Sequence, residues 1–283
     1  MISKKNILGV GITNAAKEEI LEYIIKSLKN SNKKYFIVTP NTEFLVHASK
    51  NPKFKNILNN AELALTDGIG VILAGKILHK PLKERITGVD LLESLCKAVA
   101  EKPITVGFLG GRRDVAEKTA ECLVEKYHGL KVAFAGSEWP RAISQNESKF
   151  DDGRWKMEDS NLKMEDRRSI NPLTSTSKNL PSTFHHPPSK SIDILFVAFG
   201  TPKQEIWISE NLDKIPVKIA IGVGGAFDYI SGRVGRASKW IRDLGFEWMY
   251  RLVREPWRIK RQLALLEFIY LVLREKSAPS SKK

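Results

Sequence analysis

A chain of 283 residues with 42% hydrophobic and 28% charged residues can build one large globular domain, or one domain with appendages. No apolar run approaches the ~18 residues that a membrane-spanning helix needs, and Ile7 to Ile12 is too short and strand-like for a signal peptide. The formal net charge of +14 calls for an anionic partner: nucleic acid, an acidic membrane surface or a phosphorylated substrate. Cys96 and Cys122 lie in helix-like stretches with no second Cys or His at ligand spacing, so they read as core residues of a reducing cytoplasm rather than metal ligands.

The first two-thirds of the chain alternates apolar strands with helical stretches, the pattern of an α/β protein with a mainly parallel sheet covered by helices. Ile7 to Ile12 reads as a strand and Ala15 to Leu28 as an amphipathic helix. Gly9-Val10-Gly11 has the look of a dinucleotide fingerprint, but Asn14 stands where the third glycine belongs, so a strand and turn is the better reading. Tyr35 to Thr39 is a second strand, stopped by Pro40. Asn41 or Thr42 then caps a helix through Ser49, and Asn51-Pro52 opens another. Leu63 to Leu65 is a short buried strand that ends at Thr66-Asp67-Gly68-Ile69-Gly70-Val71 and feeds an apolar helix ending near Leu78. Ligands of open α/β sheets bind outside the carboxyl ends of the strands. That position makes Asp67 a candidate base, and Thr39 stands at the same level on its own strand.

Thr87-Gly88-Val89-Asp90 has capping-box spacing and starts a helix to about Ala100, while Arg85 just upstream reads as a solvated loop arginine. Ile104 to Leu109 is a strand followed by Gly110-Gly111 and a helix from Asp114 to Tyr127. Val217 to Val223 repeats the arrangement, with Gly224-Gly225 and a short helix through Tyr229. Paired glycines let the backbone approach a ligand, and the helix beyond offers free N–H groups, so both loops are candidates for a phosphate-bearing ligand. Asp193 to Phe199 is apolar enough to be a central strand. After it, Thr201 as N-cap, Pro202 at the first helical position and Gln204 at the third make a capping box, the favoured role for Gln204, which does not forbid contact with a ligand from the first turn.

From 140 to 190 the pattern lapses. Pro, Ser, Thr, Asn and Lys dominate, and the composition predicts a mostly flexible insertion. Its His185-His186 pair has no third ligand nearby and reads as loop composition. Residues 233–283 carry thirteen basic against five acidic residues, a net +8 that exceeds half the excess of the whole chain. Three helical segments are expected there, Ala237 to Leu244, Phe246 to Arg254, and one opened by Glu255-Pro256 running to about Arg274. Arg251, Arg254, Arg258 and Arg261 are spaced to form one ridge, with Trp240, Trp248, Tyr250, Trp257 and Tyr270 interleaved. Cations in a first helical turn oppose the helix dipole unless something anionic faces them. The division expected is a core, 1–232, and a basic, aromatic appendage, 233–283, that binds a membrane interface. A helix docked on its own domain is the alternative.

Taken together and in this order, the segments 38–41, 66–71, 84–90, 108–111, 200–205, 222–228 and 232–256 resemble the bacterial WecG/TagA/CpsF glycosyltransferase family over most of the chain outside 140–190. The resemblance implies a Rossmann-like core with a helical C-terminal appendage. It implies transfer of a sugar, often N-acetylmannosamine, from UDP to polyprenyl-diphosphate-linked N-acetylglucosamine, with inversion and no metal or other cofactor. The setting would be the inner, cytoplasmic face of the plasma membrane, in synthesis of teichoic acid or another surface polymer. Asp67 would take the acceptor hydroxyl proton, Thr39 and Gln204 would handle the sugar, and Arg85 would help with the diphosphate or acceptor. Arg251, Arg258 and Arg261 would meet diphosphate groups. Asn41, Gly110, Gly111, Thr201, Gly224 and Gly225 complete the expected substrate-binding set.

Charge gives this reading a physical basis. Sugar transfer from UDP leaves negative charge on the departing diphosphate, which a metal or fixed cations must stabilise. Asp151-Asp152 falls in the insertion, so the arginines are the expected supply. UDP-N-acetylmannosaminuronic acid or a UDP-hexose are alternative donors, and homo-oligomerisation is left open. A nicotinamide-dependent oxidoreductase is disfavoured by the incomplete glycine fingerprint. A nucleic-acid-binding module built on the basic tail is the rival of another class; the expectation is that nucleic acid is not the partner.

Overall fold

The computed structural model describes residues 2–29, 33–140, 191–256 and 259–277. The expected insertion, from 141 onward, lies outside the described residues, as do Trp257 and Arg258, and of Arg261 only the backbone is described. In chain order the elements are β1 (Lys4–Ile7), β2 (Val10–Thr13), α1 (Lys17–Ser27), β3 (Tyr35–Val38), α2 (Thr42–Lys50), α3 (Pro52–Asn60), β4 (Leu63–Ala64), α4 (Ile69–Ile77) and α5 (Gly88–Val99). They continue with β5 (Thr105–Gly110), α6 (Val115–Lys126), β6 (Lys131–Gly136), β7 (Ile192–Ala198), α7 (Lys203–Asn211), β8 (Val217–Gly222) and α8 (Ala226–Ile230). Three helices follow, α9 (Lys239–Asp243), α10 (Glu247–Arg254) and α11 (Ile259–Ser277).

Six strands form a parallel sheet in the order β4-β3-β8-β7-β5-β6. The apolar strand from Asp193 lies where its composition predicts, between β8 and β5. Its side chains alternate between faces with the two-residue period of a strand. Ile194 and Phe196 join the core beneath α1, α5, α6 and α8, while Leu195 and Val197 join the core under α7. Helices therefore cover both faces, the Rossmann-like arrangement expected. Asn41 and Asn51 are the caps of α2 and α3, their Oδ1 atoms accepting from Phe44 and Phe54 N–H at 3.3 and 3.0 Å.

Two elements differ from the sequence expectation. Ile7 to Ile12 is not one strand but the antiparallel hairpin β1–β2, set apart from the sheet. Leu8 and Gly9 turn it at φ of 52° and 81°, the two positive values that a tight hairpin turn needs, and the Gly9 N–H donates to Asn6 Oδ1 at 3.0 Å. The glycine pair is thus turn chemistry, with no phosphate loop behind it. Strand β6 is not among those the pattern predicts; its small residues, Ala133, Ala135 and Gly136, give little apolar signal.

The connections fix where a ligand can enter. From β5 the chain runs through α6 outward to β6, and from β7 it runs through α7 the other way to β8. The carboxyl ends of β5 and β7 therefore flank a point of topological reversal, the preferred crevice of open α/β sheets. Gly110 sits there at φ 105°, and a Cβ on it would lie 2.9 Å from the Ala198 carbonyl carbon. Only glycine lets the two loops touch this closely.

The last helix lies on the sheet's own helices. Phe268 and Val272 of α11 are buried with Phe44 of α2 and Val71 of α4, and Glu267 and Glu275 pair with Lys50 at 2.7 Å and Lys80 at 2.8 Å. Half-exposed pairs of this kind contribute little, so the aromatic ring is the anchor. Replacing Phe268 by Ala is expected to cost about 3–5 kcal/mol and to speed amide exchange across 259–277 while β7 stays protected. Unchanged exchange in α11 would show that it is held by something else.

Candidate active site

Asp67 stands in the loop between β4 and α4, held by backbone bonds on either side. Its N–H donates to the Pro40 carbonyl at 3.1 Å, and the Thr66 carbonyl accepts from Ile86 N–H at 2.8 Å. Gly70 lets the start of α4 press on α2, since a Cβ there would fall 2.5 Å from Thr42 Cγ2. The Asp67 carboxyl is pushed up to about 7, first by burial and then by the nearby charge of Glu247, with Asp90 adding to it. The Arg85 cation and the Gly88 N–H hold it back from rising further. A carboxyl balanced this way exchanges protons near neutral pH, which an ordinary aspartate does not. The buried Thr66 hydroxyl beside it has no partner among the described residues.

The cover over Asp67 comes from the C-terminal helices. Arg236 bridges Asp90, at 2.7 Å, and Glu247, at 3.2 Å, while Arg242 approaches Asp90 at 3.9 Å. Burial opposes ionisation of Asp90, but the Thr87 hydroxyl and Arg236 more than offset it and hold this carboxyl below its ordinary range. Arg85 is not the solvated loop arginine that its context predicts. It is half-buried, and its Nη2 donates to the Arg242 carbonyl at 2.6 Å. A partner 157 residues away is invisible to local pattern.

Along the same edge, the buried Thr39 hydroxyl donates to the Gly222 carbonyl at 2.9 Å, tying the ends of β3 and β8. The capping box expected at Thr201–Gln204 does not form. The cap position falls on Pro202, whose side chain can accept nothing, so Thr201 lies one residue too early. Gln204 turns inward instead, fully buried, with its Oε1 accepting from Gly224 N–H at 3.0 Å and its Nε2 donating to Glu205 Oε1 at 2.6 Å. Gly222 makes room for this amide, as a Cβ would meet Gln204 Nε2 at 2.9 Å.

Arg251 reaches the Gly224-Gly225 loop from α10. It pairs with Glu255 at 2.7 Å and Asp228 at 3.3 Å, lies 4.9 Å over the Tyr229 ring, and would sit 2.7 Å from a Cβ on Gly225. Arg254, three residues on, lies over the Tyr250 ring at 5.4 Å; of the expected ridge, Arg258 and the Arg261 side chain lie outside the described residues. Strand order thus lines up Asp67 (β4), Thr39 (β3), Gly224-Gly225 (β8), Thr201 (β7) and Gly110-Gly111 (β5) on one edge. At ~4.8 Å per strand that row spans roughly 19 Å, room for a sugar and a diphosphate side by side.

A family profile described as "Glycosyl transferase WecG/TagA/CpsF family" matches residues 5–149 and 188–282. The chain belongs to this family. An N-acetylglucosaminyldiphosphoundecaprenol N-acetyl-beta-D-mannosaminyltransferase of Bacillus spizizenii is 32% identical, over 88% of this chain and 82% of its own length. Proteins of the same description from Bacillus subtilis (27% identical, 96% and 91% covered) and Staphylococcus aureus (26%, 97% and 94%) are also similar.

In this WecG/TagA/CpsF glycosyltransferase Asp67 and Thr39 lie at the strand ends where the sequence places them, Arg85 lies close to Asp67, and Gln204 and Arg251 meet the Gly224-Gly225 loop. Asn41 follows close on Thr39, but its Oδ1 is engaged in capping α2. Among the described residues no group of three or more His, Cys, Asp or Glu side chains is placed to hold a metal ion. Sequence reasoning gave no role to Glu205, Glu247, Arg236 or Asp228, and to Asp90 only that of a helix cap, though together they form the charged frame around the expected residues. For Glu205 a signal existed, a carboxylate one residue from Gln204 on a helix whose inner face is apolar.

Glu205 is fully buried, its Oε2 lacks a partner among the described residues, and burial pushes its carboxyl up to about 8 despite the bond from Gln204. Because its pKa is raised by folding, the native state holds this proton more tightly than the unfolded chain does. Stability that is full below the ordinary carboxylate range declines until the pH passes about 8. Melting temperatures of Glu205→Gln and the parent chain should diverge from pH 5 to 8 and run parallel above, with the variant favoured by roughly 1–3 kcal/mol. Curves that stay superimposed across that range would place the charge elsewhere.

Proposed function

We propose that this protein transfers N-acetylmannosamine from UDP to a polyprenyl-diphosphate-linked N-acetylglucosamine, with inversion, for a cell-surface polymer such as teichoic acid. The observation that carries the reading is the Asp67 carboxyl, raised to about 7 at the end of the row of strand ends. The activity described for the relatives supplies the acceptor and the sugar.

In this mechanism Asp67 takes the proton of the acceptor hydroxyl as its oxygen attacks the anomeric carbon of the donor sugar. The bond from that carbon to the diphosphate breaks on the opposite face, which inverts the centre, and UDP leaves with the bonding electron pair. Arg251 and the backbone of Gly224-Gly225 meet the charge that develops on the diphosphate. Gln204, through Gly224, keeps that loop in register with Thr39. Arg85 contributes positive charge beside Asp67, which favours the ionised base.

The acceptor's lipid calls for a membrane surface, and the outer side of the C-terminal helices suits one. Val253, Leu263, Leu266, Tyr270 and Leu273 are exposed large apolar residues there, with Arg254, Arg274 and Lys276 among them. Among the described residues no helix is long and apolar enough to cross a membrane. The reading is therefore peripheral attachment to the anionic inner leaflet.

Three measurements test this. With a panel of UDP-sugars and a short-chain diphosphate-linked N-acetylglucosamine, UDP release is expected with UDP-N-acetylmannosamine; release only with another sugar would change the donor. Asp67→Asn is expected to bind donor normally but to lose about 10²–10⁴ in turnover, and the parent's kcat/KM should fall as pH drops through about 7. Near-normal turnover of the variant would remove Asp67 from the base role. Finally, Leu266→Glu with Leu273→Glu should weaken binding to anionic vesicles about tenfold or more without altering UDP affinity; equal vesicle binding would refute the assigned face.

A further inference from the structure

Glu205 has no part in the mechanism above, yet it is fully buried at the same edge of the sheet. It stands in the first turn of α7, which leaves from the carboxyl end of β7. Carboxylates in a first turn ordinarily face solvent and complement the helix dipole. This one turns inward, where a carboxyl is costly. Its Oε1 accepts from Gln204 Nε2 at 2.6 Å, while Oε2 has no partner among the described residues. Apart from the Gln204 amide, only its own backbone N–H favours the ionised form. Among the described residues the group is therefore not half of an ion pair, and the bond to Gln204 is what its position provides.

An amide has a donor end and an acceptor end of nearly equal shape, so its partners set its direction. At Gly224 the partner is an N–H, 3.0 Å from Gln204 Oε1. Reversing the amide would set two donors face to face and leave the Gly224 N–H unpaired. Glu205 opposes the reversal, because its Oε1 accepts whether the carboxyl is ionised or carries a proton on Oε2. Gly222 closes the remaining side: a Cβ there would lie 2.9 Å from Gln204 Nε2 and 3.1 Å from Glu205 Oε1. The pair is thus pressed on the residue whose carbonyl takes the Thr39 hydroxyl.

We propose that Glu205 is a positioning residue: it sets the direction of the Gln204 amide and so holds the Gly224-Gly225 loop in the form that meets the leaving diphosphate. It touches no substrate itself and acts through Gln204. The inference rests on the use of that loop proposed above.

Steady-state kinetics of UDP release, with amide hydrogen exchange at Gly224 read by NMR, test this on the full chain. Glu205→Gln keeps an acceptor oxygen and is expected to stay within about threefold of the parent in kcat. Glu205→Met fills the space without an acceptor. Its kcat should fall roughly tenfold or more with the donor KM nearly unchanged, because the loop is called on as the diphosphate leaves. Gly224 should also exchange faster in Glu205→Met than in the parent or in Glu205→Gln. Should Glu205→Met fail to fold, Glu205→Asp, one methylene short of Gln204, takes its place. Parent-like kcat or Gly224 exchange in the folded variant, or equal losses in the Gln and Met variants, would overturn the role. A parent that releases no UDP from any sugar donor overturns the transfer reading instead, and Gly224 exchange then still reports whether Glu205 holds the loop.

Discussion

The Arg236 guanidinium lies between Asp90 at the start of α5 and Glu247 at the start of α10, and it fastens the C-terminal helices to the end of the sheet. Its side chain is only 18% exposed, so solvent screens these contacts far less than it screens pairs on an open surface. With this clasp in place Glu247 stays close to Asp67 and Arg85 finds the Arg242 carbonyl. The protonation of Asp67 is then a property of two segments far apart in the chain. Remove the cover and Asp67 would face water, with the acidity of an ordinary aspartate.

A second arrangement repeats the logic at the Gly224-Gly225 loop. Gln204 cannot move without breaking a bond to Gly224 or to Glu205, and Arg251 cannot move without leaving Asp228 and Glu255. Both side chains are thus held from two sides at the Gly224-Gly225 loop. Glycines make this packing possible where they stand nearest: Gly222 against Gln204, Gly225 against Arg251 and Gly110 against Ala198. The glycine pairs do more than turn the chain, since they bring backbone N–H groups to an edge already lined with fixed side chains.

How much of this was legible depended on sequence separation. Asp67 and Thr39 could be read as strand-end residues because an apolar run, a stop and a glycine follow one another within a few positions. The asparagine caps at 41 and 51 were equally local. Gln204 was misread for the same reason: the cap spacing is local, whereas its true partner is 20 residues away across the β7–β8 crossover. Arg85 looked solvated because the carbonyl it meets belongs to α9. The hairpin was hidden inside one apolar run, and β6 was too poor in large side chains to register. Glu247 and Asp228 looked like ordinary helix carboxylates, because a linear pattern does not record that Arg236 and Arg251 will meet them.

The apolar cluster beneath α2 joins the two ends of the chain. Ile7, Val10 and Ile12 of the hairpin share it with Phe268 and Val272, and Glu275 accepts from the Leu8 N–H at 3.0 Å across 267 positions. A nascent chain leaving the ribosome cannot close this cluster until α11 has been synthesised. Until then the groove on α2 and α4 stays open, and closing it is a late step with a long loop to draw in. The helix that closes this cluster with Phe268 and Val272 also carries Leu263, Leu266, Tyr270 and Leu273 exposed on its other side, so one element both seals a core and presents apolar surface.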